Sequence, residues 1–310
     1  MLLFRALLPR YDPKTSGTSR YQVKVLIMPT MVIRLTIVAV VAVLLALSLG
    51  AVAQDATQRS EVTRDLWDSN LLSKRPPGKQ KRSATSQDDA LVGVTLWKLR
   101  PSRSIDNPAV RSLIHENETR EWTPERISVD TALNEGDRVR ISIESARTGY
   151  LYVIDSDEYS DGSRGDPYLI FPTFRIRNGD NVVGAGTVIE IPAPEDAPSY
   201  FRMRRSRPDQ RAEVLSILVS PKPIEELKIG KDRVRLTATQ LASWKSRWGN
   251  LSRKLESKDA AGATYTPAEK AAGSARKKLT GDDPLPQTMY HVNAKMGDAL
   301  MIELPLQVAK

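Results

Sequence analysis

Five carboxyl groups, those of Asp155, Asp157, Glu158, Asp161 and Asp166, fall within twelve positions of the stretch "GYLYVIDSDEYSDGSRGDPYLIFP", 149–172. Carboxylates at that density can cage calcium, move protons at a glycosidic bond, or stay solvated in a turn. A helix-loop-helix calcium loop needs oxygen donors at alternate positions, glycine at the sixth and a bidentate glutamate at the twelfth. Counted from Asp155, the fifth position is Tyr159, the sixth Ser160 and the twelfth Asp166, so that motif fails. An irregular calcium cage built from Asp155, Asp157 and Asp161 stays open, because calcium accepts irregular oxygen ligation. Arg164-Gly165-Asp166 is a three-letter adhesion match, too short to carry weight. The reading taken forward is a polar connection, with Asp155, Asp157, Glu158, Tyr159, Asp161 and Asp166 as a candidate binding loop and Tyr159 as its exposed aromatic. No residue is assigned as catalytic, cofactor-binding or metal-bound, and no cofactor is expected.

The segments flanking those acids read as strands. "DRVRISIES" alternates Val139, Ile141 and Ile143 with polar residues, the period of a half-buried strand. "VGVTLWKL", "GYLYVID", "YLIFP", "GTVIEIP", "SYFRMRR" and "EVLSILVSPKP" are β-rich, separated by Gly, Pro, Asn and Asp clusters such as "NEGD" and "RNGDN". "ALMIELPLQV" puts Leu300, Ile302, Leu304, Leu306 and Val308 on one face, and Pro305 implies a sheet edge. Leu241, Trp244, Trp248, Leu251 and Leu255 recur at spacings of three and four, which predicts a helix near 237–257 with one apolar stripe. A second helix near 266–278 opens on Thr266-Pro267-Ala268-Glu269, a capping box with proline in the first turn. Together these predict a mainly β domain over 91–310: an antiparallel β-sandwich, immunoglobulin-like in style, with two C-terminal helices packed on it.

Composition removes several chemistries. Cysteine is absent, so disulfides, thiolate metal sites and cysteine nucleophiles are excluded. His115 and His291 are the two histidines, so a histidine triad or a two-histidine zinc site would depend on these isolated positions. Residues 1–53 hold six of the 46 Lys and Arg and one of the 37 Asp and Glu, so most of the net +9 sits there. The rest carries interspersed charge without a basic stripe, and no nucleic-acid partner is expected. Ser274-Ala275-Arg276-Lys277 lacks the companion elements of an S-x-x-K enzyme, and Gly184-Ala185-Gly186 lacks the third glycine of a dinucleotide loop. Asn117-Glu118-Thr119 and Asn250-Leu251-Ser252 are glycosylation sequons, relevant only in a host that glycosylates.

The amino-terminal region reads as an address. "MVIRLTIVAVVAVLLALSLGAVAQ", 31–54, has one arginine, an uncharged apolar run and a small-x-small end at Ala51-Val52-Ala53. That is the order of a signal peptide cleaved after Ala53, while residues 35–53 are also just long enough for an uncleaved anchor. Residues 1–30 precede it as a possible over-extended start, and 54–90 reads as a polar linker.

"VGVTLWKLRPS", "EGDRVRISIESARTGYLYVIDSDEYSDGSRGDPYLIFPT", "NVVGAGTVIEIPAPED", "YFRMRRSRPDQRAEVLSILVSPKPI" and "DPLPQTMYHVNAKMGDALMIELPL" resemble the domain-of-unknown-function 4384 family, over roughly Leu91 to Leu306. The resemblance implies a secreted bacterial protein in a stand-alone form, and it supplies no catalytic residues. The resulting expectation is an exported, periplasmic or extracellular, non-catalytic module that binds or organises a protein or polysaccharide of the bacterial cell envelope. Membrane contact would come only through 35–53 if that segment stays uncleaved. The alternative is a carboxylate-dependent hydrolase acting on envelope polymer.

Overall fold

A computed structural model describes residues 89–113, 119–249, 252–257 and 261–310. The segments 1–30 and 31–53, nearly all of 54–90, His115, Asn117 and Asn250-Leu251 lie outside those residues. Among the described residues no helix is long and apolar enough to cross a membrane.

The strands are β1 (Asp89–Pro101), β2 (Trp122–Ile127), β3 (Arg138–Ser145), β4 (Gly149–Tyr159), β5 (Tyr168–Phe171), β6 (Val182–Val183), β7 (Val188–Ile191), β8 (Phe201–Arg202), β9 (Gln210–Ser220), β10 (Val234–Arg235), β11 (Ser252–Glu256), β12 (Thr288–Asn293) and β13 (Leu300–Gln307). The helices are α1 (Ala238–Trp248) and α2 (Pro267–Ala275). The strands form two antiparallel sheets. One runs β11-β12-β1-β3-β7, with β2 added to β1 and β8 to β3; the other runs β10-β5-β4-β9-β13, with β6 added to β4.

Side-chain alternation explains why these runs are strands. Val92, Val94 and Leu96 of β1, Ile141 and Ile143 of β3, Leu151 and Val153 of β4, Leu215 and Ile217 of β9, and Ile302 and Leu304 of β13 join one buried cluster that draws on both sheets. The opposite face of the second sheet is also covered. Tyr152, Ile154, Leu169, Leu218 and Met301 pack with Leu241 and Trp244 of α1. A strand buried on both faces carries an unbroken apolar run, which is the origin of "YLYVI". Helix α2 packs at β7 of the other sheet, where Ala272 meets Val188 and Leu279.

Two expectations need correction in detail. The apolar spacing predicted a helix to about 257, but α1 stops at Trp248, with Gly249 as its C-cap. Ser252–Glu256 is a strand paired to β12, and Leu255 packs with Leu91 and Met289 rather than on the helix stripe. The unpaired edge of β12 supplied partners that local periodicity cannot foresee. Helix α2 begins where expected, with Thr266 and Glu269 closing a capping box, and ends at Ala275 on Arg276 in the left-handed region.

The Pro305 strand is the last of its sheet, laddered with β9, an edge place that suits its proline. At the start of β4, Gly149 is needed for space: a Cβ there would collide with the Ser220 carbonyl oxygen across the β4–β9 pair. Gly149→Ala is expected to destabilise by about 1–3 kcal/mol as the two strands are forced apart. The urea midpoint measures it, and an unchanged midpoint would contradict this close approach.

Candidate functional site

Strand β4 continues through most of the acidic stretch, so the carboxyls do not share one solvated connection. Asp155, Asp157 and Glu158 lie on the strand, paired to β9 with Asp155 opposite Leu215 and Asp157 opposite Glu213. Only Asp161 and Asp166 lie in the turn that follows. Asp161 accepts from the Ser163 amide at 2.9 Å and its hydroxyl at 2.6 Å, and these bonds hold its carboxyl below the ordinary carboxylate range. Asp166 pairs with Arg235 at 2.6 Å, and Glu158 with Arg164 at 2.9 Å. Both charged members of Arg164-Gly165-Asp166 are therefore engaged within the fold.

Tyr159, read as an exposed aromatic, is buried. Its hydroxyl lies 3.1 Å from the Ser206 hydroxyl, and the Arg207 guanidinium sits 3.9 Å over its ring. The strand runs four residues beyond the apolar run "GYLYVID", and Tyr159 became its closing core residue. The calcium candidates separate in the same way. Asp155 and Asp157 point to one strand face, while Asp161 is engaged with Ser163 in the turn. Among the described residues no three or more acidic or histidine side chains converge to hold a metal ion.

What the strand does assemble is a carboxyl group set missed at the sequence level. Alternation places Asp155, Asp157 and Glu213 on the face that carries Val153 and Leu215. Asp157 is supported by the Gln210 amide at 2.8 Å. Asp155 Oδ1 is buried and makes no hydrogen bond within the protein. Burial, then the charge of Asp157, pushes the Asp155 carboxyl up to about 7, against a pull from Arg233. Burial, then the charge of Asp155, pushes Glu213 up to about 8, opposed by a backbone hydrogen bond from Arg204. "EVLSILVS" showed Glu213 only as the polar start of a strand; its register against β4 makes it a partner of the acids.

A second buried polar set fastens α2. Arg126 pairs with Glu269, donates to the Leu285 carbonyl at 2.7 Å and lies 5.0 Å over Trp97. Glu190 accepts from the Tyr265 hydroxyl, and its other oxygen lies 3.5 Å from Arg140. Burial raises the Glu190 carboxyl, against the pull of that guanidinium. The cavity here, between Trp97, Arg126, Ser142 and Glu269, is about 20 Å³. That is room for a single water, and the set reads as structural.

A larger opening lies where three chain segments meet. The exit of β9, Ser220–Ile224, forms one wall; Arg247 and Trp248 at the end of α1 form another; Gly297–Ala299 before β13 forms the third. The groove holds about 490 Å³, within the range of small-molecule sites. Each wall is fixed from the core. The Tyr152 hydroxyl accepts the Ile224 amide at 2.9 Å. Arg147 donates to the carbonyls of Ala294, Lys295 and Asp298, bracing the third wall. Trp248 stacks on Trp244 at 6.0 Å and stays half-buried, with the Arg247 guanidinium 5.2 Å from its ring. Lys222, Glu226 and Asp298 are exposed around it, and among the described residues none of them, nor Arg247, makes a side-chain ion pair. Sequence spacing assigned Trp248 to a core stripe; being the last helical residue leaves its ring at the rim.

A mainly β protein of two antiparallel sheets with a polar-rimmed groove is the class these observations define. Residues 132–223 match the family model described as a domain of unknown function (DUF4384). No curated protein and no solved structure matches the chain. The matched segment is shorter than the resemblance read from sequence. It runs from before β3 to just past β9, and so holds Asp155, Asp157, Glu213 and the Ser220–Pro223 wall. Trp248, Arg247 and Asp298 come from flanking elements outside it.

Proposed function

We propose that the chain is an exported, non-catalytic β-sandwich, immunoglobulin-like in style, that binds a protein or polysaccharide of the bacterial cell envelope through the groove at Trp248. The observation that carries this reading is the groove itself: about 490 Å³, braced by Tyr152 and Arg147, with the charged side chains of Lys222, Glu226, Arg247 and Asp298 exposed at its rim. A half-buried tryptophan at such a rim offers a large apolar contact without unfolding anything. The sandwich reading draws support from the single buried cluster shared by both sheets. Export rests on the apolar run 35–53 and its small-residue end.

Co-sedimentation of the full chain with an insoluble envelope fraction tests the reading. Trp248→Ala, compared at a temperature where both proteins are fully folded, is expected to lose most of the retained protein. Equal retention of both proteins would contradict the groove as the contact surface.

A second reading, a carboxylate-dependent hydrolase of envelope polymer, is favoured by one observation: Asp155 and Glu213 keep protons into the neutral range, as a general acid must. For that enzyme, Asp155→Asn or Glu213→Gln would abolish release of soluble sugar from the same envelope fraction.

A further inference from the structure

We propose that the ligand of this groove is a saccharide, with one sugar ring laid against Trp248; this rests on the reading of the groove as the binding surface. Four features of the walls point to that chemistry. The rim is charge-balanced, with Lys222 and Arg247 against Glu226 and Asp298. Such a rim creates no net field to attract a polyanion or a polycation. The same four side chains supply donors and acceptors together, which suits hydroxyl groups that both donate and accept. Trp248, half-buried against Trp244 and with the Arg247 guanidinium 5.2 Å from its ring, brings apolar ring surface to the groove beside those polar groups, and a pyranose presents an apolar C–H face next to its hydroxyls.

The fourth feature weighs against an extended peptide. A peptide added along a wall would take its affinity from main-chain hydrogen bonds. Pro221 and Pro223 remove two donors from the Ser220–Ile224 wall, and the Ile224 amide is already given to Tyr152. What remains for recognition is side-chain hydrogen bonding and ring contact. The aromatic, Arg247 and Asp298 lie outside the DUF4384 segment, so saccharide binding would be a property of this chain's flanking elements, added to the family domain.

The test is calorimetric titration of the full chain with chitotetraose, with maltotetraose, and with the zwitterionic peptide tetra-alanine. At least one tetrasaccharide is expected to bind, with Trp248→Ala weakening it about tenfold or more and Trp248→Phe restoring part of the loss. Lys222→Ala and Asp298→Ala, exposed positions that leave the fold intact, are each expected to weaken it several-fold. Saccharide binding that is unchanged in Trp248→Ala, or the absence of any saccharide binding, overturns the proposal. If tetra-alanine alone binds and Trp248→Ala abolishes it, the saccharide assignment falls while the groove reading stands. If none of the three binds and envelope retention is also indifferent to Trp248, both fall.

Discussion

Glu269→Ala is expected to destabilise the protein by about 3–5 kcal/mol, a loss on the order of 10 °C in Tm for a domain of this size. Glu269 faces the Arg126 guanidinium, and both side chains are almost fully buried, 6% and 2% exposed. Removing the carboxylate leaves a cation inside the protein without its counter-charge, and that stranded charge is the main loss. Glu269 also accepts the Thr266 amide at 2.9 Å, so the capping box of α2 opens as well. Glu269→Gln separates the two effects, because it keeps a hydrogen-bonding group at the cap and removes only the charge. The double variant Arg126→Met/Glu269→Met is expected to recover most of the stability, since no charge is then buried. Urea unfolding of the three variants checks this, and a Glu269→Ala change below 1 kcal/mol would contradict the burial of the pair.

The second large effect is on pH dependence. Asp155 is raised from its ordinary 3.8 to about 7, and Glu213 from 4.5 to about 8. Between those limits the folded protein holds a proton that the unfolded chain has released, so stability falls as pH rises. Each group steepens that fall by about 1.4 kcal/mol per pH unit within its own window, fully stable below about 4 and flat above about 8. The groups acting on the pair are Asp157, Arg233 and the Ser156 and Arg204 backbones, and Asp157 adds to the upward push on both. Asp155→Asn reproduces the protonated form and cannot ionise. It is expected to raise stability at pH 8, change little at pH 4, and flatten the slope between pH 5 and 7; Glu213→Gln does the same with its window shifted upward. Taking each variant against wild type at fixed ionic strength isolates these carboxyls from the other groups of the protein. A variant that is less stable than wild type at pH 8 would contradict the account.

These two sites differ in how far the sequence foretells them. The helix bearing Glu269 is written locally, since Thr266, Pro267 and Glu269 form its start signal. Its buried partner Arg126 is 143 positions away on β2, and no local pattern announces that an arginine in "WTPERI" will be enclosed. The strands with clean alternation, β3 and β13, are legible because the residues facing the shared core are apolar and alternate with mostly polar ones, even where those, like Arg140, are themselves buried. The acidic stretch misleads because Asp and Glu favour turns by composition, while β9 imposes strand pairing through Glu158 and Tyr159. Leu255 misleads in the opposite sense: its helical spacing is real, but Ser252–Glu256 pairs with β12 instead. The groove is the least legible feature. Its walls come from the end of β9, the end of α1 and the turn before β13, so its existence is a consequence of packing alone.

The central claim is that the groove at Trp248 is where the protein meets its ligand. Hydrogen exchange of the full chain, with and without solubilised envelope fragments, reads this most directly. The account predicts slower amide exchange confined to residues 222–226 and 297–299, and no such protection in Trp248→Ala. Protection that instead gathers around Asp155–Asp166, or that persists in Trp248→Ala, would contradict it.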